Sequence, residues 1–314
     1  NLVDNAGAGS GGITLTLTRA GTGLDFNNAG GGTVLITGRN LGLNAPGTTD
    51  STNIVLATGA SGATESTGGI GIIGQQSNTA VLATGNTRGI APYAIVDDLT
   101  GANGINFATI NDANPNYGIR GLISSEYSAA NSLATNQNIL INGATSSAVN
   151  SNTTVNSLTF RTGGSLVLGQ GTVLNIQSGG ILATDDVTIS GPGIITADGT
   201  PQVSSTGGSR DVYIHTIGAT TDLTISAALG YASSNSGRFA ALIKAGSGNL
   251  ILSGANFYTG NTLINEGTLT LNNDQAIYFR PTAPASTSNF NSGNTGPTFQ
   301  VNYGATANMN GFNI

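Results

Sequence analysis

Six short apolar runs crowd into residues 155–197: VNSLTF, SLVLG, TVLNI, GILAT, VTIS and IITA. One apolar residue from each of the last five gives Leu166, Val173, Ile181, Val187 and Ile194, with steps of 7, 8, 6 and 7 residues. Strands of a β-sandwich recur at roughly 8–12 residues, with turns between them. A coil with three short strands per turn recurs at this closer interval. Three steps carry Leu166 to Val187 and Val173 to Ile194, 21 residues in each case. A repeat of that length is the signature of a solenoid.

The rest of the chain uses the same grammar. Helix formers are scarce, whereas period-2 runs recur at Ile13–Leu17, Thr33–Thr37, Ile139–Ile141, Asp222–Ile225 and Asn249–Leu252. Alternation places one set of side chains on one face of a sheet, and the Gly, Asn, Asp and Ser between the runs are turn formers. The chain therefore reads as all-β. The spacing predicts a right-handed parallel β-helix with about three short strands per coil of roughly 21 residues. The prediction is one continuous segment over residues 1–314, interrupted by an irregular excursion around 97–135. That excursion holds Asn114-Pro115-Asn116 and a candidate helical turn at Glu126–Ala130. A long loop on a rigid scaffold is where a specific contact is expected.

Stacking in such a coil explains the restricted alphabet. Only 8% of residues are charged, yet 38% are hydrophobic, and Gly reaches 48 of 314. A charge repeated on every coil would repel its neighbours, whereas Thr and Asn ladders bond one another and Leu, Ile and Val fill the interior. The formal net charge is −6, and Lys244 is the sole lysine. No Lys/Arg cluster is present to neutralise phosphates, so nucleic acid is excluded as a partner, and an anionic membrane surface is disfavoured for the same reason. The sequence has no cysteine, hence no disulfide or thiolate metal site. It also lacks any apolar run near the ~20 residues that span a bilayer as a helix. The start at Asn1-Leu2-Val3, without Met, reads as a processing site or as the edge of a window on a longer chain.

Three patterns could carry chemistry. Gly69–Gly74 fits G-x-G-x-x-G, but a dinucleotide loop opens a helix, and Gln75–Asn78 leads into another strand-like run. The pairs Asp97-Asp98 and Asp185-Asp186, with the single histidine His215, supply the groups of a carboxylate-based glycosidase. Adjacent acids on a strand point to opposite sides, however, so a pair in sequence is not a pair in space. His215 alternates with Tyr213 and Ile217, which makes it a stacked or surface residue. Neither an EF-hand nor a nonapeptide calcium repeat occurs. No residue is assigned a catalytic, cofactor-binding or metal-binding role, no cofactor is expected, and the chain is not read as an enzyme. Tyr and Phe, 8 and 9 in number, are expected mainly in core and corner stacks.

One stretch goes further. LIKAGSGNLILSGANFYTGNTLINEGTLTL, Leu242–Leu271, resembles the autotransporter-associated β-strand repeat, with Asn261 where that repeat often has a second Gly. The segments 153–184 and 191–199 are similar, more weakly, to the coils that precede this repeat in large bacterial passenger proteins. Tyr93–Ser128 looks like the irregular segment ahead of those coils, and Val301–Ile314 like the start of another coil. Nothing resembles the family's C-terminal translocator barrel. The resemblance implies an exported structural or adhesive protein, at or outside the surface of a Gram-negative-type bacterium. It implies as partners copies of the chain, end to end in a fibre or side by side, neighbouring coils of a longer chain, or surface glycans. It implies no membrane insertion by this segment. The alternatives are a polysaccharide-cleaving β-helix enzyme and a carbohydrate- or receptor-binding module.

Overall fold

The computed structural model describes residues 12–18, 31–57, 85–101, 104–111, 118–143, 146–197, 211–230, 241–258, 260–277 and 298–312. These residues form strands, turns and two single 3-10 turns, Gly85–Thr87 and Ser124–Glu126, with no α-helix among them.

Most strands lie in three parallel ladders. The first joins Ser146–Val149, Ser165–Leu168, Val187–Ser190, Asp222–Ile225, Asn249–Leu252, Thr268–Leu271 and Thr306–Asn308 in sequence order. Long strands divide their length between the other two. In the second ladder, residues 153–155, 174–176, 194–196 and 228–229 stack. The third begins with Asn138–Asn142 and runs through 157–160, 180–183, Val212–Thr216, Ala241–Ala245, Asn261–Ile264 and Phe299–Val301. The strand Val173–Ala183 bends from the second ladder to the third between Ile176 and Gly180, where its register shifts. Gly179 takes a φ of +77° at the bend, and a Cβ there would overlap the carbonyl oxygen of Asp211, so only glycine fits.

The three ladders enclose one apolar interior. Leu166, Leu168, Leu174, Ile176, Ile181 and Ile214 are fully buried in it and continue upward into Leu250, Ile264, Leu269 and Leu271. Alternation explains this, because every second residue of each strand points inward. The expected pairing of Val173 with Ile194 is present, although Leu174 and Ile195, not these two, are the buried neighbours. Leu166 instead pairs with Ile189, two residues beyond the expected Val187. Val187 and Ile189 share one parity and both point inward, so a slip of two leaves the apolar pattern unchanged.

A second layer covers the third ladder. Val34–Gly38, Ala91–Asp98, Ile105–Ile110 and Ile119–Gly121 form a four-stranded sheet whose first pair is parallel and the next two antiparallel. Tyr93, Ala94, Val96 and Ala108 cluster with Tyr213, Ala241, Ile243 and Leu263 of the ladder. Phe107, Ile95 and Tyr127 do the same with Leu182. Val212–Thr216 and Ala241–Ala245 are consequently buried on both faces. Part of the 97–135 stretch thus lies against the ladders. The helical turn expected at Glu126–Ala130 is confined to Ser124–Glu126, and Tyr127 is already extended. Asn114–Asn116 lie outside the described residues.

Candidate functional site

The acids and the histidine singled out in the sequence occupy three different environments. Asp185 and Asp186 are exposed at a corner before the first ladder. Asp186 Oδ1 accepts from the main-chain N–H of Asp222 at 2.9 Å, which ties two successive strands. Asp98 is buried in the outer sheet, where its Oδ1 accepts from the N–H of Asn40 at 3.1 Å, the N–H of Thr100 at 3.1 Å and the Thr100 hydroxyl at 2.8 Å. Burial, and then the neighbouring Asp98, raise the carboxyl of Asp97 above its usual range. Gly69–Gly74 lie outside the described residues.

His215 sits between the two layers. Its Nε2 lies 2.8 Å from the carbonyl of Pro92, which can only accept, so Nε2 carries the proton. The ring meets Phe107 edge-on, with centroids 6.0 Å apart at 82°. Burial pushes the imidazole down to about 4, with Lys244 adding to the effect and the Pro92 bond opposing it. A neutral imidazole, bonded through Nε2, joins the outer sheet to the ladder. Among the described residues, no group of three His, Cys, Asp or Glu side chains could hold a metal ion.

Two charged clusters escaped the sequence reading. The carboxylate of Glu126 accepts from Arg120 through both terminal guanidinium nitrogens, at 2.7 and 2.6 Å, and also pairs with Arg88 Nε. All three side chains are buried. The main-chain carbonyl of Arg88 then accepts from the amides of Asn138 and Asn156 at 2.9 and 3.0 Å. The second is Lys244, fully buried, which stands in register between Ile214 and Ile264. Its ammonium reaches the corner and donates to the carbonyls of Ala245, Gly246 and Glu266 at 2.9, 2.6 and 3.0 Å. Three donors meet three acceptors. A lone Lys in an apolar run, followed by Gly two residues on, was the available signal.

Around Lys244 the 242–271 segment stacks corner on corner. A Cβ on Gly246, Gly248 or Gly254 would press against carbonyl oxygens of Thr216, Thr221 or Ala227 respectively, one coil earlier. Asn256 accepts from the N–H of Leu229 at 2.8 Å and donates to the carbonyl of Ala276 at 2.7 Å. The buried hydroxyl of Tyr258 bonds that of Thr262 at 2.7 Å. Asn256 thus joins successive coils, while the Tyr258–Thr262 bond is local, between residues four apart.

The outer face of the first ladder differs. Gly163, Gly164, Ser165, Asp186, Val187, Thr188, Asp222 and Thr224 line a shallow depression of about 200 Å³. Hydroxyls and carboxylates at its rim can exchange hydrogen bonds with a polyhydroxylated ligand.

Residues 242–271 match the family model described as the passenger-associated-transport-repeat. This is the repeat whose likeness the sequence carries in Leu242–Leu271. No curated protein and no solved structure gave a match to the chain. No helix among the described residues is long and apolar enough to cross a membrane.

Proposed function

We propose that this chain is a segment of an exported, passenger-type surface protein, built as a right-handed β-solenoid. It acts as a structural or adhesive rod outside a Gram-negative-type cell. One observation supports the reading above the rest: several signature positions of the matched repeat act in coil-to-coil stacking. Lys244, Gly246, Gly248, Gly254 and Asn256 bond or abut neighbouring coils, and the three ladders pair in parallel throughout. Repetition of one supersecondary unit makes an extended scaffold rather than a catalytic cleft. In this reading the rod is continuous over the chain, and its partners are copies of itself or neighbouring coils of the same longer chain. Antibodies raised against the purified chain test it on intact cells of the source organism. Surface labelling, lost on external protease treatment, is the expected result; labelling only after permeabilisation sinks the proposal.

A second reading is a glycan-binding module, favoured by the hydroxyl- and carboxylate-lined depression at Ser165, Asp186, Thr188, Asp222 and Thr224. Its carboxylates disfavour anionic sugars, so neutral glycans are the ligands to screen, with Asp222→Ala as the binding-deficient control.

A further inference from the structure

Two of the three ladders are closed at one end by the chain itself. Asn138–Asn142 opens the third ladder and pairs on one side with Ser157–Arg161. Its other edge is met by residues 128–131. The N–H of Ser128 donates to the carbonyl of Asn138, and that of Asn131 to the carbonyl of Leu140, both at 2.8 Å. The next edge position, Asn142, is served by the side chain of Asn131. Nδ2 donates to its carbonyl at 3.0 Å, and Oδ1 accepts from its N–H at 2.9 Å. The Asn131 amide thus supplies the donor and acceptor that a strand residue would bring. Asn131 holds a φ of +63°, a left-handed conformation that Asn tolerates.

The same segment reaches the second ladder. The N–H of Asn136 donates to the carbonyl of Thr154, and the carbonyl of Gln137 accepts from the N–H of Asn156, both at 2.8 Å. Between these contacts Leu133 packs on the end of the apolar interior. The far side of the segment, at Ala129, Ala130, Ser132 and Thr135, is exposed and carries nothing larger than a threonine.

We infer that residues 128–137 are an edge-blocking cap, which prevents a β-strand of another molecule, a second copy of this chain above all, from adding to this end of the second and third ladders. An open ladder edge is a template for pairing with another chain, and here its hydrogen-bonding groups and the interior behind them are already occupied. The inference rests on the rod reading and narrows it: copies do not stack head to tail through this end.

The test uses the purified chain and the double variant Asn131→Ala/Leu133→Ser, which removes the strand mimic and the plug. Sedimentation velocity over a range of concentrations reads association, and amide hydrogen exchange at Asn142 reads the edge. The expected result is loss of Asn142 protection together with a concentration-dependent rise in mass that the parent lacks. A folded variant with an exchanging Asn142 amide and the parent's mass at every concentration overturns the inference. If the variant does not fold, exchange in the parent decides. Slow exchange at Ser128, Asn131 and Asn142, matching the interior strands, supports the cap, and rapid exchange at all three overturns it. These readouts need only purified protein, so a failure of surface labelling on cells is a separate outcome.

Discussion

Lys244 and Glu266 join two successive turns of the ladders: the buried ammonium of the first donates to the main-chain carbonyl of the second at 3.0 Å. The bond leaves an inward position otherwise held by isoleucine, Ile214 below and Ile264 above. Lys244→Met keeps the apolar stem but leaves the carbonyls of Ala245, Gly246 and Glu266 without this donor. We expect a loss of roughly 2 kcal/mol, read from the urea midpoint. Burial carries the amine from the usual 10.5 down to about 7. Between those values the unfolded chain holds a proton that the folded chain has released, so stability rises with pH across that window. That rise should vanish in Lys244→Met; its persistence would assign the slope to another group.

Gly267 and Gly171 both have positive φ, +70° and +71°, but only one is crowded. A Cβ on Gly267 would fall on the carbonyl oxygens of Gly246 and Gly248, whereas nothing lies within 4 Å of one on Gly171. Gly171→Ala should cost about 1–2 kcal/mol for its conformation alone. Gly267→Ala adds the clash and should cost at least about 3 kcal/mol. Equal thermal shifts for the two variants would refute a stacking role for that corner.

His215 is the only histidine, so its imidazole resonances can be followed in the intact protein without assignment. With the ring pushed down to about 4 from the usual 6.5, it should remain neutral through pH 5. The unfolded chain takes up a proton between those values and the folded one does not. Stability is therefore lost as pH falls from about 6.5 to about 4. His215→Gln should flatten this acid-side decline, and a titration midpoint near 6.5 would contradict the buried bond to Pro92.

Glu126→Ala leaves the guanidinium groups of Arg88 and Arg120 buried without their shared carboxylate. Removing one partner of a buried ion pair costs about 3–5 kcal/mol, and the loss here should concentrate in the outer sheet. Hydrogen exchange should accelerate at Ile105–Ile110 and Ile119–Gly121 before it does in the first ladder. Uniform acceleration throughout the chain would place the cluster's role elsewhere.

The sequence revealed parity better than register. Alternation in SLVL and VTIS identifies Leu166, Leu168, Val187 and Ile189 as inward residues, yet it cannot choose between pairings two residues apart. The choice belongs to the corners, where Gly169–Thr172 is longer than Gly191–Gly193. Burial of His215 and Tyr213 was illegible for a different reason. Their strand would face water on its outer side without the sheet of Val34–Gly38, Ala91–Asp98, Ile105–Ile110 and Ile119–Gly121, and nothing local to VYIHT announces that cover. Glu126 and Arg120 look like ordinary surface charges until the same sheet encloses them. Lys244 was legible as a repeat position, while its three carbonyl partners depend on how two corners meet.

The ladders keep register across very different lengths of chain. Leu250 and Leu269, 19 residues apart, are paired, and so are Leu269 and Ala307, separated by 38. Pairing therefore counts strands and ignores what lies between them. Closing a longer loop adds little entropic cost, about 0.6 kcal/mol per doubling. For the evolution of such a chain, the connection between Thr268–Leu271 and Thr306–Asn308 shows where sequence can be spliced in without shifting the frame, whereas the close-packed corners at Gly246 and Gly267 leave no room for it. Lineages can then diversify in such connections while the strands hold their frame.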